Sequence, residues 1–218
     1  MSESRIRETY DTVAAAYDAA LRSELAAKPV DRALLDALLS LCPGIVADVG
    51  CGPGHVTRHL AARHRAVVGV DLSPSMVEIA RAAAPSLSFE VGSMLDLPVA
   101  DGAWSGIVAF YSIIHLTPAE RVRAFAEFAR VLEPGGWALV AFHVSADDQP
   151  PGSTQHTTSW FGSPVDLDSF YLDPAEVTAD LGAAGFTVAS STMRAPLPDV
   201  EYPSHRCYLL AQSDARRL

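Results

Sequence analysis

Short apolar runs alternate with amphipathic segments along most of the chain. Five of these runs are rich in aliphatic residues and have the length of buried strands: Ile45–Val49, Ala66–Asp71, Leu87–Val91, Trp104–Tyr111 and Trp137–His143. The near-continuous apolar character of the second run is typical of a strand covered on both faces in a parallel sheet. Between the runs, helical spacing is found over three segments: His55–Arg63, Pro74–Ala83 and Ala119–Leu132. This alternation predicts a parallel sheet with helices on both faces.

The two ends of the chain extend this pattern. Residues 4–40 have helical periodicity interrupted near Pro29, which suits the first turn of a second helix because proline lacks an N–H group. A further helix starts at Asp173-Pro174, and two final strands follow it: Thr187–Thr192 and Arg206–Ala211. We therefore expect an α/β, doubly wound, Rossmann-like sheet of seven mostly parallel strands. It carries a C-terminal antiparallel strand, helices on both faces and extra N-terminal helices.

Charge and cysteine usage narrow the classes of partner. The chain has 26 acidic and 16 basic residues, a net charge of −10, which disfavours nucleic acids and anionic membranes because both bind mainly Lys and Arg. Cys42, Cys51 and Cys207 have neither disulfide-framework nor zinc-site spacing, which indicates a reducing compartment. The N-terminus is too polar for a signal peptide, and no apolar run approaches roughly 18 residues. We expect a cytoplasmic protein.

The stretch Ile45–His55, IVADVGCGPGH, is the chemically most informative part of the chain. An apolar run meets an acid, Asp48, and Gly50, Gly52 and Gly54 then occupy every second position. Glycines let the backbone turn tightly and approach a ligand, and the helix that follows offers unpaired N–H groups. The spacing is GxGxG rather than GxGxxG, and the phosphate-binding GxxxxGK[ST] pattern is absent. A ligand without phosphates is favoured.

A second acid, Asp71, ends the second predicted strand. Its two carboxylate oxygens can accept hydrogen bonds from both hydroxyls of a ribose. Together with the glycine loop, it predicts an adenosyl ligand that lies outside the carboxyl ends of the strands. The acid alone does not separate NAD from other adenosyl cofactors, because both use such a residue.

Six sequence blocks in order resemble the class I S-adenosylmethionine-dependent methyltransferases, in particular the bacterial enzymes that act on small molecules. The matching blocks are YDTVAAAYD (10–18), VADVGCGPGH (46–55), VVGVDLSPSMVEIAR (67–81), VGSMLDLP (91–98), FYSIIHL (110–116) and VLEPGGWALVAFH (131–143). The resemblance implies a single domain over residues 1–218. Its parts are N-terminal helices and lid (1–42), a cofactor-binding core (43–143), a substrate loop (144–172), and a C-terminal helix and strands (173–218).

The resemblance also implies S-adenosyl-L-methionine as cofactor and a set of contacts to it. The glycine loop, with Asp48, Gly50, Cys51, Gly52 and Gly54, is expected to face the methionine part, where Asp48 reaches the ammonium group. At the adenosine, the resemblance implies that Asp71 binds the ribose, that Leu72 and Met76 flank the adenine, and that Met94 contacts the adenine through its backbone N–H. Near the sulfonium it implies Tyr17 and Tyr111. Ser93 stands where many members have an acid for the adenine amino group, which leaves that contact open.

Two histidines are candidates for the chemistry of methyl transfer. His143 and His115 both follow strands, on the side where an acceptor must lie, and histidine is the usual base near neutral pH. His143 is expected to deprotonate or orient the acceptor. His156, in the polar segment, is a further candidate to close over it. Adjacent Asp147 and Asp148 are more typical of a solvated loop than of a metal site, so we expect no metal.

Several alternatives stay open at this level. The leading expectation is methyl transfer to oxygen, nitrogen or sulfur of a small molecule, by a monomer or homodimer. A second is a protein that binds S-adenosylmethionine in a non-methylating or regulatory role, and a third, NAD-dependent oxidoreduction, is disfavoured by the glycine spacing. The acceptor pocket is expected from residues 1–30 and from the predicted long loop in 144–172. The segment 201–206 either walls this pocket or forms a turn.

Overall fold

The structure is a computed structural model that describes residues 3–64 and 66–214. Its strands are β1 (Val46–Val49), β2 (Val67–Asp71), β3 (Ser88–Val91), β4 (Trp104–Phe110), β5 (Leu132–Ala146), β6 (Thr154–Trp160), β7 (Ser163–Phe170), β8 (Phe186–Arg194) and β9 (Ser204–Ser213). Its helices are α1 (Glu3–Leu21), α2 (Pro29–Leu41), α3 (His55–Ala61), α4 (Pro74–Ala83), α5 (Pro118–Val131) and α6 (Pro174–Ala183). Two short 3₁₀ turns span Glu24–Ala27 and Ile113–His115.

Seven of these strands form one sheet in the order β3-β2-β1-β4-β5-β9-β8. The strands β1 to β5 pair in parallel, whereas β9 runs antiparallel to both of its neighbours, β5 and β8. The predicted fold class is thereby confirmed. The order along the sheet reverses at β1, which lies between β2 and β4. A crevice opens outside the carboxyl ends of the strands at such a reversal, and ligands bind there.

Alternate residues of the central strands enter two separate apolar cores, as side chains on opposite faces of a sheet must. Ala47 of β1 packs in the core that contains Phe125 of α5, whereas its neighbour Val46 packs in the core that contains Leu35 of α2. Helices therefore cover both faces. No helix among the described residues has the length and apolar character needed to span a membrane.

The helices begin where short polar residues precede prolines. Ser73 accepts a hydrogen bond from the N–H of Met76 at the start of α4, and Thr117 and Glu120 form a reciprocal capping box at the start of α5. Asp173 caps α6 through the N–H of Ala175. Each proline occupies the first turn, where its missing N–H costs no helical hydrogen bond. These starts match the predicted ones.

The sequence Pro134-Gly135-Gly136 is typical of a turn before a strand that begins at Trp137, but this prediction is wrong. The strand β5 begins at Leu132, and these residues form an irregular part of it, where the register against β4 shifts and Gly135 has φ +79°. A positive φ within a strand marks a bulge, which bends the strand while its pairing continues on either side. The strand also extends three residues beyond the predicted end, to Ala146.

The long polar loop predicted before α6 is also wrong in its main part, because residues 154–170 form a hairpin of β6 and β7. Phe161 and Gly162 connect the strands with φ values of +50° and +78°. Positive φ at both central residues characterises the tight type I′ turn, whose twist matches that of the strands. Both strands are largely polar, so the sequence lacks the alternation that would predict them. The hairpin packs against α1 and carries aromatic residues toward the crevice.

Candidate functional site

Two adjoining cavities lie at the crevice outside the carboxyl ends of the strands. The first, here the glycine-loop cavity, is lined by Val49, Gly50, Gly52, Asp71, Leu72, Ser73, Gly92, Met94, Phe110, Ser112 and Leu116, with Glu3, Ile6 and Arg7 of α1 above them. The second, here the aromatic cavity, has a volume of about 470 Å³ and lies under α1 and the hairpin. The two share four lining residues: Tyr10, Tyr17, Tyr111 and His115. The shared residues place a ligand in one cavity next to a ligand in the other.

The glycines of the loop have different roles. A Cβ on Gly50 would come within 2.3 Å of the Cβ of Ser112, so only glycine fits there, whereas a Cβ on Gly52 would meet nothing within 4 Å. Gly52 thus borders open space, as expected where a ligand lies against the backbone. Gly54 does not line the cavity; a Cβ there would lie 2.9 Å from the ring of Phe89, so this glycine allows α3 to pack closely.

Asp71 is held at the end of β2 with its carboxylate directed to the glycine loop. One carboxylate oxygen accepts from the N–H of Gly52 at 2.7 Å, and the other accepts from the N–H of Ser73 at 2.8 Å. Burial raises the pKa of Asp71 to about 6, against the opposing effect of these hydrogen bonds. Asp71 is therefore an oriented acceptor that is mostly ionised at neutral pH, and it can bind a vicinal diol.

Asp48 lies beneath the loop, fully buried, and accepts a hydrogen bond from Oγ1 of Thr57 at 2.6 Å. Burial raises the pKa of Asp48 to about 6 as well. It borders a small inner cavity, next to the glycine-loop cavity, that is lined by Tyr17, Glu24, Leu25, Lys28, Asp31, Asp48, Gly50, Cys51, Gly52, His55, Val56, Phe110 and Tyr111. The Cys51 thiol is free and buried at this place. The inner cavity thus has both acidic and basic side chains, such as Asp48 and Lys28, which suit the ammonium and carboxylate groups of an amino acid.

Glu24 and His55 complete the inner cavity, although the position of His55 at the start of α3 is typical of a packing or surface residue. The Nε2 of His55 lies 3.5 Å from a carboxylate oxygen of Glu24, while its Nδ1 is buried without a partner among the described residues. Burial alone would raise the pKa of Glu24, but hydrogen bonds from His55 and Lys28 lower it to about 2. An unpaired buried ring nitrogen is costly, so a ligand group there is stabilising.

The N-terminal helix closes the glycine-loop cavity from above. Asp11 of α1 accepts from Oγ of Ser73 at 2.5 Å and from the N–H of Ser75 at 3.1 Å, at the start of α4. At the first turn of α1, Glu3 accepts a hydrogen bond from Oγ of Ser93. Of the two residues predicted beside the adenine, Leu72 lines the cavity, but the side chain of Met76 is wholly buried in packing and does not.

His115 is buried, and both of its ring nitrogens are engaged. The Nδ1 atom lies 3.0 Å from the carbonyl oxygen of Asp168, which can only accept, so Nδ1 carries the proton. The Nε2 atom then accepts from the hydroxyl of Tyr10 at 2.7 Å. Burial lowers the pKa of His115, which keeps the ring neutral. These bonds join α1, the 3₁₀ turn after β4 and the hairpin.

His143 lies in the aromatic cavity near the end of β5. Its ring stacks on Tyr111 with centroids 5.0 Å apart, and its Nδ1 lies 2.6 Å from Oγ of Ser204. Burial, followed by the positive charges of Arg206 and Lys28, lowers the pKa of His143 to about 3. The imidazole is therefore neutral throughout the physiological range and can form hydrogen bonds, but it is a weak base.

Tyr111 marks the boundary between the two cavities. Its φ of +55° is unusual for a residue other than glycine, and its hydroxyl lies 2.8 Å from that of Tyr208. Tyr208 in turn donates to the carboxylate of Asp31 at 2.8 Å. The ring of Tyr111 is thus fixed from below while its upper side meets His143. Tyr17, predicted beside it, approaches from α1 and borders all three cavities.

Most of the aromatic cavity is built from rings and apolar side chains. Its remaining lining residues are Leu21, Glu24, Lys28, Ile114, His143, Gln155, Thr157, Ser159, Trp160, Phe161, Leu167, Ser169, Phe170, Tyr171, Val200, Glu201, Tyr202 and Arg206. Trp160 stacks on Phe161 at the hairpin turn and meets Tyr17 edge-on. Glu201 and Tyr202 line this cavity, so the segment 201–206 forms part of the pocket wall and is not merely a turn.

The charges in this wall balance one another. Glu201 lies 3.4 Å from Nζ of Lys28 and 3.1 Å from Nη1 of Arg206, and it also pairs with Arg194. Burial alone would raise the pKa of Glu201, but the hydrogen bond from Arg194 and the neighbouring cations lower it to about 2. Arg194 also binds the buried carboxylate of Asp31. Lys28 also pairs with Glu24 at 2.8 Å, so the cations and carboxylates of this wall are equal in number.

Two further sequence candidates lie outside the cavities. His156 is exposed and pairs with Asp168 at 2.7 Å. Asp147 and Asp148 belong to no group of three or more potential metal ligands; none was found in the part of the chain that the structure describes. Conversely, sequence reasoning assigned no role in the site to Glu3, Glu24 or His55. His55 ends the glycine-loop stretch, whereas Glu3 and Glu24 belong to no motif and reach the site only through folding.

A family model described as a methyltransferase domain matches residues 46–136, from β1 to the bulge in β5. The chain is also 36% identical over 115 residues to ajmaline N-methyltransferase from Rauvolfia serpentina, a match covering 50% of this chain and 39% of the relative. The chain thus spans well under half the length of that relative, and the match does not extend to the whole of either protein.

Two other comparisons cover more of the chain. An uncharacterized methyltransferase from Synechocystis sp. is 32% identical over 159 residues, which is 69% of this chain and 70% of the relative. The crystal structure of a SAM-dependent methyltransferase from Methanosarcina mazei superposes with a TM-score of 0.69 at 18% identity, over 78% of this chain and 92% of the other. At that identity the superposition shows a shared fold.

Proposed function

Because the chain belongs to the class I S-adenosylmethionine-dependent methyltransferases, with S-adenosyl-L-methionine as cofactor, we propose that it methylates a small, predominantly aromatic molecule bound in the aromatic cavity. The observation that carries this proposal is the contact between the two cavities through Tyr10, Tyr17, Tyr111 and His115. An acceptor in the aromatic cavity would face the cofactor cavity across these side chains.

The residues of the glycine-loop and inner cavities fit this cofactor. Gly52 borders open space, Asp71 offers oriented acceptors for the ribose hydroxyls, and the orphaned Nδ1 of His55 can bind a charged group of the methionine part. The cofactor supplies an electrophilic methyl group on a sulfonium. Asp48 and Glu24, both acidic, favour the positively charged ammonium in the same region.

The size and chemistry of the aromatic cavity support the class of acceptor. A volume of about 470 Å³ lies within the usual range of small-molecule sites. The many rings of its wall offer edges and faces to a planar apolar group. The cations Lys28 and Arg206 of the lining are matched by the carboxylates Glu24 and Glu201, which leaves no net attraction for an anion, so we propose a neutral acceptor. Its reacting atom is oxygen, nitrogen or sulfur.

The contribution of the protein to the reaction is positioning and exclusion of water. In-line displacement requires the acceptor atom to lie about 3 Å from the methyl carbon, and correct placement alone can supply a large part of the rate. The bonds of Tyr10 and Asp168 to His115 hold α1 and the hairpin over the shared boundary. We propose that these elements form the cap under which transfer takes place.

His143 is the residue that we propose to orient the acceptor. Its Nδ1 is fixed by Ser204, while the ring faces the aromatic cavity against Tyr111. A pKa of about 3 makes it a poor proton acceptor at neutral pH, so a hydrogen bond between the ring and the methyl acceptor is favoured over full proton transfer. His115 is less suited to contact the acceptor because both nitrogens are already engaged.

The proposed function is tested by incubating the protein with S-adenosylmethionine and a panel of small aromatic alcohols, amines and thiols. We expect S-adenosylhomocysteine to accumulate together with a product whose mass has increased by one methyl group in place of hydrogen. Matched anionic acceptors, such as the corresponding carboxylates, should react more slowly. Tight cofactor binding without transfer to any neutral member of the panel would contradict the proposal and favour a non-methylating role.

The role of His143 is tested by comparing His143→Gln with His143→Ala on the best acceptor of that panel. Glutamine can form a hydrogen bond but does not titrate, so it should retain activity within about tenfold, whereas alanine should lower kcat/KM by about a hundredfold. Calorimetry with S-adenosylhomocysteine checks that both variants bind cofactor normally. Equal losses in the two variants would instead indicate that His143 acts as a base.

A further inference from the structure

We propose that Glu3, at the start of the N-terminal helix, recognises the 6-amino group of the adenine of the cofactor. The sequence places a serine, Ser93, where the related enzymes often have an acid for this purpose. The structure brings a carboxylate from 90 residues away to the hydroxyl of that serine. The inference concerns cofactor recognition, and it is independent of the identity of the methyl acceptor.

The position of Glu3 along the glycine-loop cavity supports this role. Asp71 ends β2, which lies between β1, followed by the glycine loop, and β3, followed by Gly92. The N–H of Gly92 donates to the carbonyl oxygen of Asp71 at 2.9 Å, so the residues after β3 border the cavity on the side of Asp71 away from the glycine loop. If Asp71 binds the ribose hydroxyls and the glycine loop binds the methionine part, the adenine lies on the other side of Asp71, beside the residues that follow β3. Glu3 lines the cavity, and it bonds to the residue between Gly92 and Met94.

The hydrogen bonds around Ser93 fix the direction of this contact. Oγ of Ser93 accepts from the N–H of Leu95 at 2.9 Å, so its own proton is free to be donated to Oε1 of Glu3. No other hydrogen bond or ion pair of the Glu3 carboxylate is found within residues 3–64 and 66–214. A carboxylate has only acceptor sites, and the exocyclic amino group of adenine is a donor.

The helix that carries Glu3 is held in place independently of that residue. Asp11 binds the start of α4 through Ser73 and Ser75, and Tyr10 binds His115. The side chain of Ile6 is buried beneath the same helix. Because these contacts lie one to two turns beyond Glu3, replacing its carboxylate should not release the helix from the cavity.

Asp96 is another acid close in sequence to Ser93 that could accept a hydrogen bond from the adenine amino group, but it is poorly placed. It is exposed and does not belong to the lining of the glycine-loop cavity. Arg7, one turn after Glu3 on α1, does line the cavity, but its donors cannot pair with an amino group. Apart from Asp71, Glu3 is thus the one carboxylate side chain that lines this cavity in the described part of the chain.

The test compares binding of S-adenosylhomocysteine and S-inosylhomocysteine by calorimetry. Inosine carries an oxygen acceptor in place of the amino donor, so the wild-type protein should bind the adenosyl compound more tightly. In Glu3→Gln, this preference should fall about tenfold, because the amide can turn its NH₂ toward the oxygen. Glu8→Gln removes the same charge from an exposed position of the same helix, and it should leave the preference unchanged.

The ratio of the two dissociation constants separates recognition from a merely structural role of Glu3. If Glu3→Gln only weakened the first turn of α1, both ligands would lose affinity by the same factor and the ratio would stay at its wild-type value. That result would overturn the proposal. Ser93→Ala, which removes the hydroxyl that holds Glu3, should lower the ratio in the same direction but by a smaller factor.

Discussion

Asp71→Asn is expected to weaken binding of S-adenosylhomocysteine about a hundredfold at neutral pH. The substitution replaces one acceptor oxygen by a donor and removes the charge that strengthens hydrogen bonds from the ribose hydroxyls. The carboxylate is held at the loop by Gly52 and Ser73, so an alternative acceptor is not at hand. Isothermal calorimetry measures the change. Asp96→Asn, an exposed acid of the same type, is the matched control and should bind normally.

The pH dependence of binding provides an additional readout for the same variant. The pKa of Asp71 is raised to about 6, so the free protein takes up a proton there as the pH falls through 6. Protonation removes an acceptor, and affinity should drop about tenfold by about pH 5 from this group alone. In Asp71→Asn the dependence should be shallower, with Asp48 responsible for the remainder. Identical pH curves for the two proteins would contradict this assignment.

Gly52→Ala is expected to abolish measurable cofactor binding while the protein stays folded. A Cβ at this position meets no protein atom within 4 Å, so it would project into the space assigned to the cofactor. The φ of +53° adds a strain of about 1 kcal/mol. We therefore expect a small decrease in thermal stability together with an affinity loss of about a hundredfold or more.

Gly50→Ala is the matched control, since it makes the same substitution two residues earlier at a similar φ of +79°. Here the added Cβ would lie 2.3 Å from that of Ser112, which requires the backbone to shift. This variant should lose about 2–4 kcal/mol of stability from strain and overpacking combined. If both variants lost stability equally, or if Gly52→Ala bound cofactor normally, the assignment of the open space to the cofactor would be wrong.

The core of the fold was predictable because it depends on local signals. Each signal can be recognised from a few neighbouring residues: the glycine loop, the apolar strand runs, and the serine or threonine caps before prolines. The hairpin of β6 and β7 was missed for the same reason. Its strands are mostly polar, with few apolar residues to reveal a buried face, and its turn uses Phe161 before Gly162, where asparagine or aspartate is the usual signal.

The state of the candidate histidines depends on tertiary packing. The sequence placed His115 and His143 after strands, but it contained no information on their neighbours. The structure pairs both nitrogens of His115 and places His143 among the cations Lys28 and Arg206. Burial lowers the pKa of both rings, and the cations lower that of His143 further. Of the two roles expected for His143, deprotonating or orienting the acceptor, the low pKa favours orienting.

The sequence by itself determined the type of sheet and, through the family resemblance, the cofactor. Contacts within β1, the glycine loop and β2 are short in sequence, so a single stretch of chain encodes them. Tertiary structure decided the closure of the site, where Glu3, Glu24, the hairpin and Glu201 come from opposite ends of the chain. Their side chains line adjoining cavities because α1, the hairpin and the segment before β9 pack near the carboxyl ends of the central strands. No local sequence pattern predicts that packing.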